Sequence, residues 1–155
     1  MRLDSRERLA SRHGLLAGVA VACALAAPLG VAAEVKFSGT WECDAAPKVN
    51  VPNFSAPASA TRDGERLTVW RVVYKAGTFE ELGRLTGNGQ VANGRVSLQV
   101  ASERKGAAPT DKPGITGQFE GTVSATEIAL KGKESVSIAD RGQDERTCRV
   151  RLNKQ

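Results

Sequence analysis

Val35-Lys36-Phe37-Ser38-Gly39-Thr40-Trp41-Glu42-Cys43 alternates without a break: its odd positions are apolar or small and its even positions polar. Successive side chains of a strand point to opposite faces, so this pattern specifies a strand with one buried face. Near the other end of the chain, Cys148, Val150 and Leu152 alternate with Arg149, Arg151 and Asn153. Cys43 thus shares a face with Phe37 and Trp41, and Cys148 shares one with Val150 and Leu152. A disulfide between them requires Cα atoms about 4.4–6.8 Å apart. The first and last strands are then neighbours, or they face each other across a narrow core.

The chain between these two segments also reads as strands. Ile115, Phe119 and Val123 lie on one face of Ile115–Ser124 with Gly117 and Gly121, and polar residues lie on the other. Asp63-Gly64 separates Asn53–Thr61 from Glu65–Tyr74, a strong hairpin signal. Asn88-Gly89 and Asn93-Gly94 read as turns, the second feeding Arg95–Ser102. Glu103–Gly114 and Ala45–Pro52 read as loops, Ala125-Thr126 as a link to Glu127–Gly132, and Asp140–Glu145 as a polar turn before the last strand. No segment sustains a helical period. About eight short strands joined in sequence describe an antiparallel meander. With its ends brought together, the expected fold is all-β, a small up-and-down barrel, which also removes exposed strand edges. A two-sheet β-sandwich is the alternative.

The start of the chain has a different character. Arg2, Arg6, Arg8 and Arg12 precede an uncharged run, Leu15–Leu29, which is followed by the small residues Val31-Ala32-Ala33. A basic segment, an apolar segment and a small-residue cleavage site make a secretory signal peptide over residues 1–33, cut between Ala33 and Glu34. No twin-arginine pair is present, which favours general secretion. A membrane anchor needs about 20 apolar residues, and Pro28 and Gly30 interrupt this run. Ala20-Val21-Ala22-Cys23 offers a second route, a lipoprotein anchored through Cys23. Cleavage before Glu34 leaves 122 of the 155 residues as a single domain. The signal removes four of the 22 basic and two of the 17 acidic residues, so the net charge falls from +5 to +3. The remaining charges are scattered, so no nucleic-acid partner is expected, and the mature form has no expected membrane span.

Gly39-Thr40-Trp41 on the first strand, with an arginine-bearing last strand, resembles the opening of lipocalin and avidin-like β-barrels. That resemblance implies that Trp41 closes the barrel floor and that Arg149 or Arg151 packs over it. The alternation, by contrast, sets both arginines on the outer face. The whole mature layout, with Gly-Thr-Trp, a nearby Cys, an Asp-Gly hairpin and a late Cys, is similar to small exported proteins of alphaproteobacteria. That second likeness implies no activity.

Export also limits the chemistry. It removes His13, the single histidine, and Cys23, leaving Cys43 and Cys148 as an even pair in an oxidising compartment. Histidine-dependent triads and histidine-ligated metal sites are therefore excluded, and a bonded pair offers no thiolate. Ser102-Glu103-Arg104-Lys105 matches Ser-x-x-Lys only as an exposed charged loop. Glu80-Glu81 and Asp144-Glu145 are neighbours that point apart in extended chain. Gly87-Asn88-Gly89 lacks a third spaced glycine and reads as a tight turn. No catalytic residue, metal or cofactor is expected.

What remains is a non-enzymatic binding protein, periplasmic or secreted. One form holds a small apolar ligand in the barrel mouth near Trp41, Phe54 and Phe119, beside the small residues Ala56, Ala58 and Ala60. Another binds an envelope protein, or acts as the inhibitor of a hydrolase, through its loops or through Trp70 and Tyr74. These two share a strand face with Val72, opposite Leu67, Val69, Arg71 and Val73; the Ala45–Pro52 loop either covers that face or leaves it free. A structural envelope protein is the third form. Intact mass of the exported product should begin at Glu34 and fall two hydrogen masses below that of the reduced form. A retained or lipidated N-terminus would refute this maturation.

Overall fold

The computed structural model describes residues 33–75, 78–106 and 114–155; the expected signal peptide lies outside them except for Ala33. Eight strands follow one another: β1 (Val35–Cys43), β2 (Phe54–Asp63), β3 (Arg66–Tyr74), β4 (Glu81–Ala92), β5 (Arg95–Arg104), β6 (Ile115–Val123), β7 (Glu127–Ile138) and β8 (Gly142–Lys154). Each pairs antiparallel with the next, and β8 pairs with β1, so the sheet is a closed up-and-down barrel. Ala33 and Glu34 form an exposed coil directly before β1.

Closure rests on the β1–β8 seam. Phe37 to Cys43 pair in register with Lys154 to Cys148, which sets the two cysteines directly opposite each other. They are bonded, with Cα atoms 4.1 Å apart, and both are buried. Beyond the seam, the Gln155 amide donates to the Lys36 carbonyl at 3.0 Å and the Asp44 amide to the Thr147 carbonyl at 2.9 Å. A ring with no open edge leaves no row of unpaired backbone groups for another chain to extend.

The inward-facing positions interlock by size. On β2, Ala60 and Ala56 lie opposite Phe37 and Trp41 of β1, so the small side chains of one strand accommodate the aromatic rings of its neighbour. Trp41 meets Phe119 edge to face, with ring centroids 4.9 Å apart; such pairs contribute about 0.5–1.5 kcal/mol beyond burial. The Phe119 ring occupies the space over Gly132, where a Cβ would sit 2.6 Å from it. Leu67, Val69, Leu85, Ile128, Val150 and Leu152 complete the apolar core, each fully buried.

Gly87-Asn88-Gly89 is not a turn but the middle of β4, paired with β3 and β5. Its two glycines face inward beneath the Val100, Leu98 and Val96 side chains, while Asn88 accepts from the Thr68 hydroxyl outside at 2.9 Å. They are glycines because β5 fills the room their side chains would need. β7 and β8 also outrun their expected bounds, and the turn between them shrinks to Ala139–Arg141.

The two ends of the barrel differ. At one, short turns carry Gly64 and Gly94 with positive φ, next to the start of β1 and the end of β8. At the other lie the β1–β2, β3–β4 and β5–β6 loops and the β7–β8 turn. The β1–β2 loop folds toward β7, where Ala46 and Val49 bury against Val136 with Ile115 and Ile138 alongside. Lys48 and Arg141 tie it down: the Lys48 amide donates to the Asp144 carboxylate, and Arg141 donates to the Val49 carbonyl. This loop therefore does not cover the outer face of β3.

The disulfide closes a loop of 105 residues, a constraint worth about 4–5 kcal/mol in the chain-entropy account. Reductant, or Cys43→Ala with Cys148→Ala, should lower the melting temperature by roughly 10 °C or more. An unchanged melting curve would show that backbone pairing alone holds the seam.

Candidate functional site

Beneath the loop-bearing end, the inward alternation runs into charged residues. Arg71 follows Leu67 and Val69 on β3, Glu134 follows Ile128, Leu130 and Gly132 on β7, and Arg146 precedes Cys148 on β8. Glu134 and Arg146 are paired across the β7–β8 ladder, and Arg71 reaches them from the opposite side of the ring. These are the three buried charged residues among the described residues, with Glu134 at 0% exposure and both arginines at 5%.

The Glu134 carboxylate lies between the two guanidinium groups. Arg71 Nη2 donates to both carboxylate oxygens at 3.3 and 3.2 Å. Arg146 donates to Oε2 twice, from Nε at 3.1 Å and from Nη2 at 2.7 Å. Both cations also stack on Phe54, with guanidinium carbons 4.7 Å (Arg71) and 4.5 Å (Arg146) from the ring centroid, and Arg71 stands 5.4 Å from the Trp41 ring. A cation over an aromatic face gains about 2 kcal/mol when both are desolvated. Burial, opposed by the Glu134 charge and reinforced by Arg146, draws the Arg71 guanidinium below its ordinary range. Charges so deeply placed are tolerated because they neutralise and hydrogen-bond one another.

The neutralisation is incomplete, since two cations meet one anion. Arg71 Nε, Arg146 Nη1 and Trp41 Nε1 are buried donors with no acceptor among the described residues. Every unmet group at this site is a donor, so the arrangement holds a surplus of positive charge and of N–H groups.

Cys43 Sγ, Cys148 Sγ and a Glu134 oxygen lie within 4.8 Å of one another, a spacing that could suit a metal ion. The disulfide takes up both sulfurs and the two guanidinium groups repel a cation, so the donor set does not fit one. Glu80-Glu81 and Asp144-Glu145 contribute no paired carboxylates either: Glu80 pairs with Lys75, Asp144 with Lys48 and Glu145 with Lys133.

Of the residues singled out from the sequence, Trp41, Phe54 and Phe119 come together at this site, the first and last of them fully buried. Trp70 and Tyr74 sit on the outer face of β3, Trp70 half-buried and Tyr74 48% exposed. Arg149 and Arg151 are exposed outside the barrel, as the alternation requires. The arginine beside Trp41 comes from β3, not from the last strand. Two hollows border the rim. One, of about 390 Å³, lies among Glu42, Asp44, Ser55, Phe54 and Arg149; the other, of about 300 Å³, among Ala45, Lys133, Glu145 and Arg146.

Glu134, Arg146 and Phe79 are absent from the sequence reading. The signal for the first two was present: alternation continued through Gly132 places Glu134 inward, and alternation traced back from Cys148 does the same for Arg146. Phe79, in the β3–β4 loop, is 98% exposed, and no periodic pattern marks it. No family model, curated protein or solved structure matches the chain.

Glu134→Ala should destabilise the fold by about 3–5 kcal/mol, because two buried cations lose their counter-charge. Replacing all three together, Arg71→Met, Glu134→Leu and Arg146→Met, should restore most of that loss. Chemical denaturation of the wild type and these two variants measures both effects. Equal destabilisation in the single and triple variants would show that packing, not charge, sets the cost.

Proposed function

We propose that this chain is an exported, non-enzymatic binding protein that takes its partner, a protein of the cell envelope, on the loop-bearing end of the barrel. The observation that carries this reading is the pair Tyr74 and Phe79. They are the large exposed apolar side chains of the described residues, and both stand at the β3–β4 connection. Exposed aromatic groups beside a rigid scaffold are the usual anchors of a protein interface. The other loops of this end, and the two polar hollows at its rim, supply the surrounding surface.

A small apolar ligand in the mouth is the weaker form, because guanidinium groups stacked on Phe54 occupy the place such a ligand would need. The reading as a non-enzyme rests on the bonded cysteines and on a buried carboxylate whose two oxygens are both taken by arginine. Export rests on the Arg-rich start, the apolar run and the disulfide, which fits a periplasmic or secreted chain. Among the described residues no helix is long and apolar enough to cross a membrane. The outward positions of β6 to β8 include Gln118, Glu120, Lys131, Lys133, Arg149 and Arg151, all exposed, whereas a barrel set in lipid turns an apolar band outward.

Native mass spectrometry of the protein drawn gently from its own envelope tests this reading. The wild type should emerge with a stoichiometric partner, and Tyr74→Ser with Phe79→Ser should lose it without a change in melting temperature. A bare wild-type protein would favour a purely structural role. A partner retained by the double variant would move the interface elsewhere.

A further inference from the structure

We propose that the Arg71–Glu134–Arg146 cluster is a binding site for a small carboxylate, in the barrel interior toward its loop-bearing end. Two observations converge on it. First, two guanidinium groups share one carboxylate, so one positive charge is left over in the interior, and an uncompensated buried charge is costly. Second, the unmet groups are all donors: Arg71 Nε, Arg146 Nη1 and Trp41 Nε1 have no acceptor among the described residues, and the side chains of both arginines are at least 96% buried. A carboxylate is acceptor-only when ionised, and its two oxygens match the guanidinium fork.

The surrounding residues make the charge surplus durable. Phe54 supports both guanidinium planes, so neither arginine can swing out to solvent without giving up its stacking and its bonds to Glu134. Glu134 stands on β7 next to the disulfide-bearing seam, in a register fixed from both sides. The donors are thus held in place before the anion arrives, which lowers the ordering cost of binding. The carboxylate can be a free small acid or a terminal or side-chain carboxylate of a peptide; the recognising chemistry is the same.

The test uses acetate, with acetamide as the neutral molecule of the same shape, at ionic strength held by sodium chloride. Trp70→Phe leaves Trp41 as the single tryptophan and therefore the reporter. Acetate should change Trp41 fluorescence saturably, with a Kd in the millimolar range, and acetamide should not. Arg71→Met removes the surplus charge while leaving Glu134 and Arg146 paired, and should weaken acetate binding at least tenfold. Glu134→Gln raises the surplus and should bind acetate at least tenfold more tightly, its melting temperature rising with acetate more steeply than that of the wild type. A tripeptide and its C-terminal amide, compared in the same assay, distinguish a peptide carboxylate from a free acid. If acetate and acetamide act alike on both the wild type and Glu134→Gln, no anion site exists there. The same conclusion follows if Arg71→Met, shown to be folded, binds acetate as the wild type does.

Discussion

The β1–β8 seam is the constraint on which the rest of this molecule depends. An up-and-down meander of eight strands can remain an open sheet with two sticky edges, or it can curl until the first strand meets the last. Here the register of closure sets Cys43 opposite Cys148, so a covalent bond and a backbone ladder specify the same pairing. A slip of one residue would turn Phe37, Trp41 and Cys43 outward and separate the sulfurs. The bond therefore does more than shorten the unfolded chain. It selects one register of one strand pair, and that register propagates around a ring in which every strand has two partners.

Fixing the register also decides what the interior contains. Inward positions are apolar through most of the barrel, but toward the loop-bearing end the same alternation delivers Arg71, Glu134 and Arg146. A closed barrel offers these groups little water, so they must find partners in one another. Glu134 accepts from both arginines and Phe54 lies against both guanidinium groups. A well-packed apolar set of similar volume would stabilise the fold as well or better. The charges are thus poorly explained by stability alone, and the surplus of donors around them gives the arrangement chemical content.

Much of this was legible in the sequence because period two is a strong signal wherever both faces are consistent. β1, β6 and β8 obey it, the cysteines fall on its buried face, and together they are enough to imply a ring. The pattern became illegible where the buried face carries charge. Glu134 and Arg146 look like surface residues in a one-dimensional reading, and that shortened β7 and lengthened the turn before β8. Asn88-Gly89 misled for a different reason: glycine marks a turn when it supplies φ, but here it makes room for Val100 and Leu98. Neither distinction can be drawn from a strand considered alone, since both depend on what the neighbouring strand places opposite. Phe79 is a third case, because exposure in a loop leaves no periodic trace.

The two ends of the barrel divide the work accordingly. Short glycine turns, the start of β1 and the end of β8 occupy one, where the core above them is apolar among the described residues. Long connections, the rim hollows, the exposed Tyr74 and Phe79, and the buried charge cluster all gather at the other. The disulfide lies at that same end, on the boundary between the apolar core and the charged layer, with Glu134 beside it. Loops can vary only if the strands that carry them are held apart from below. In this barrel the covalent seam and the Arg–Glu–Arg layer do so together, one by fixing β1 against β8 and the other by tying β3 to β7 and β8 across the interior. The end with the longest connections is thus the end with the firmest foundation.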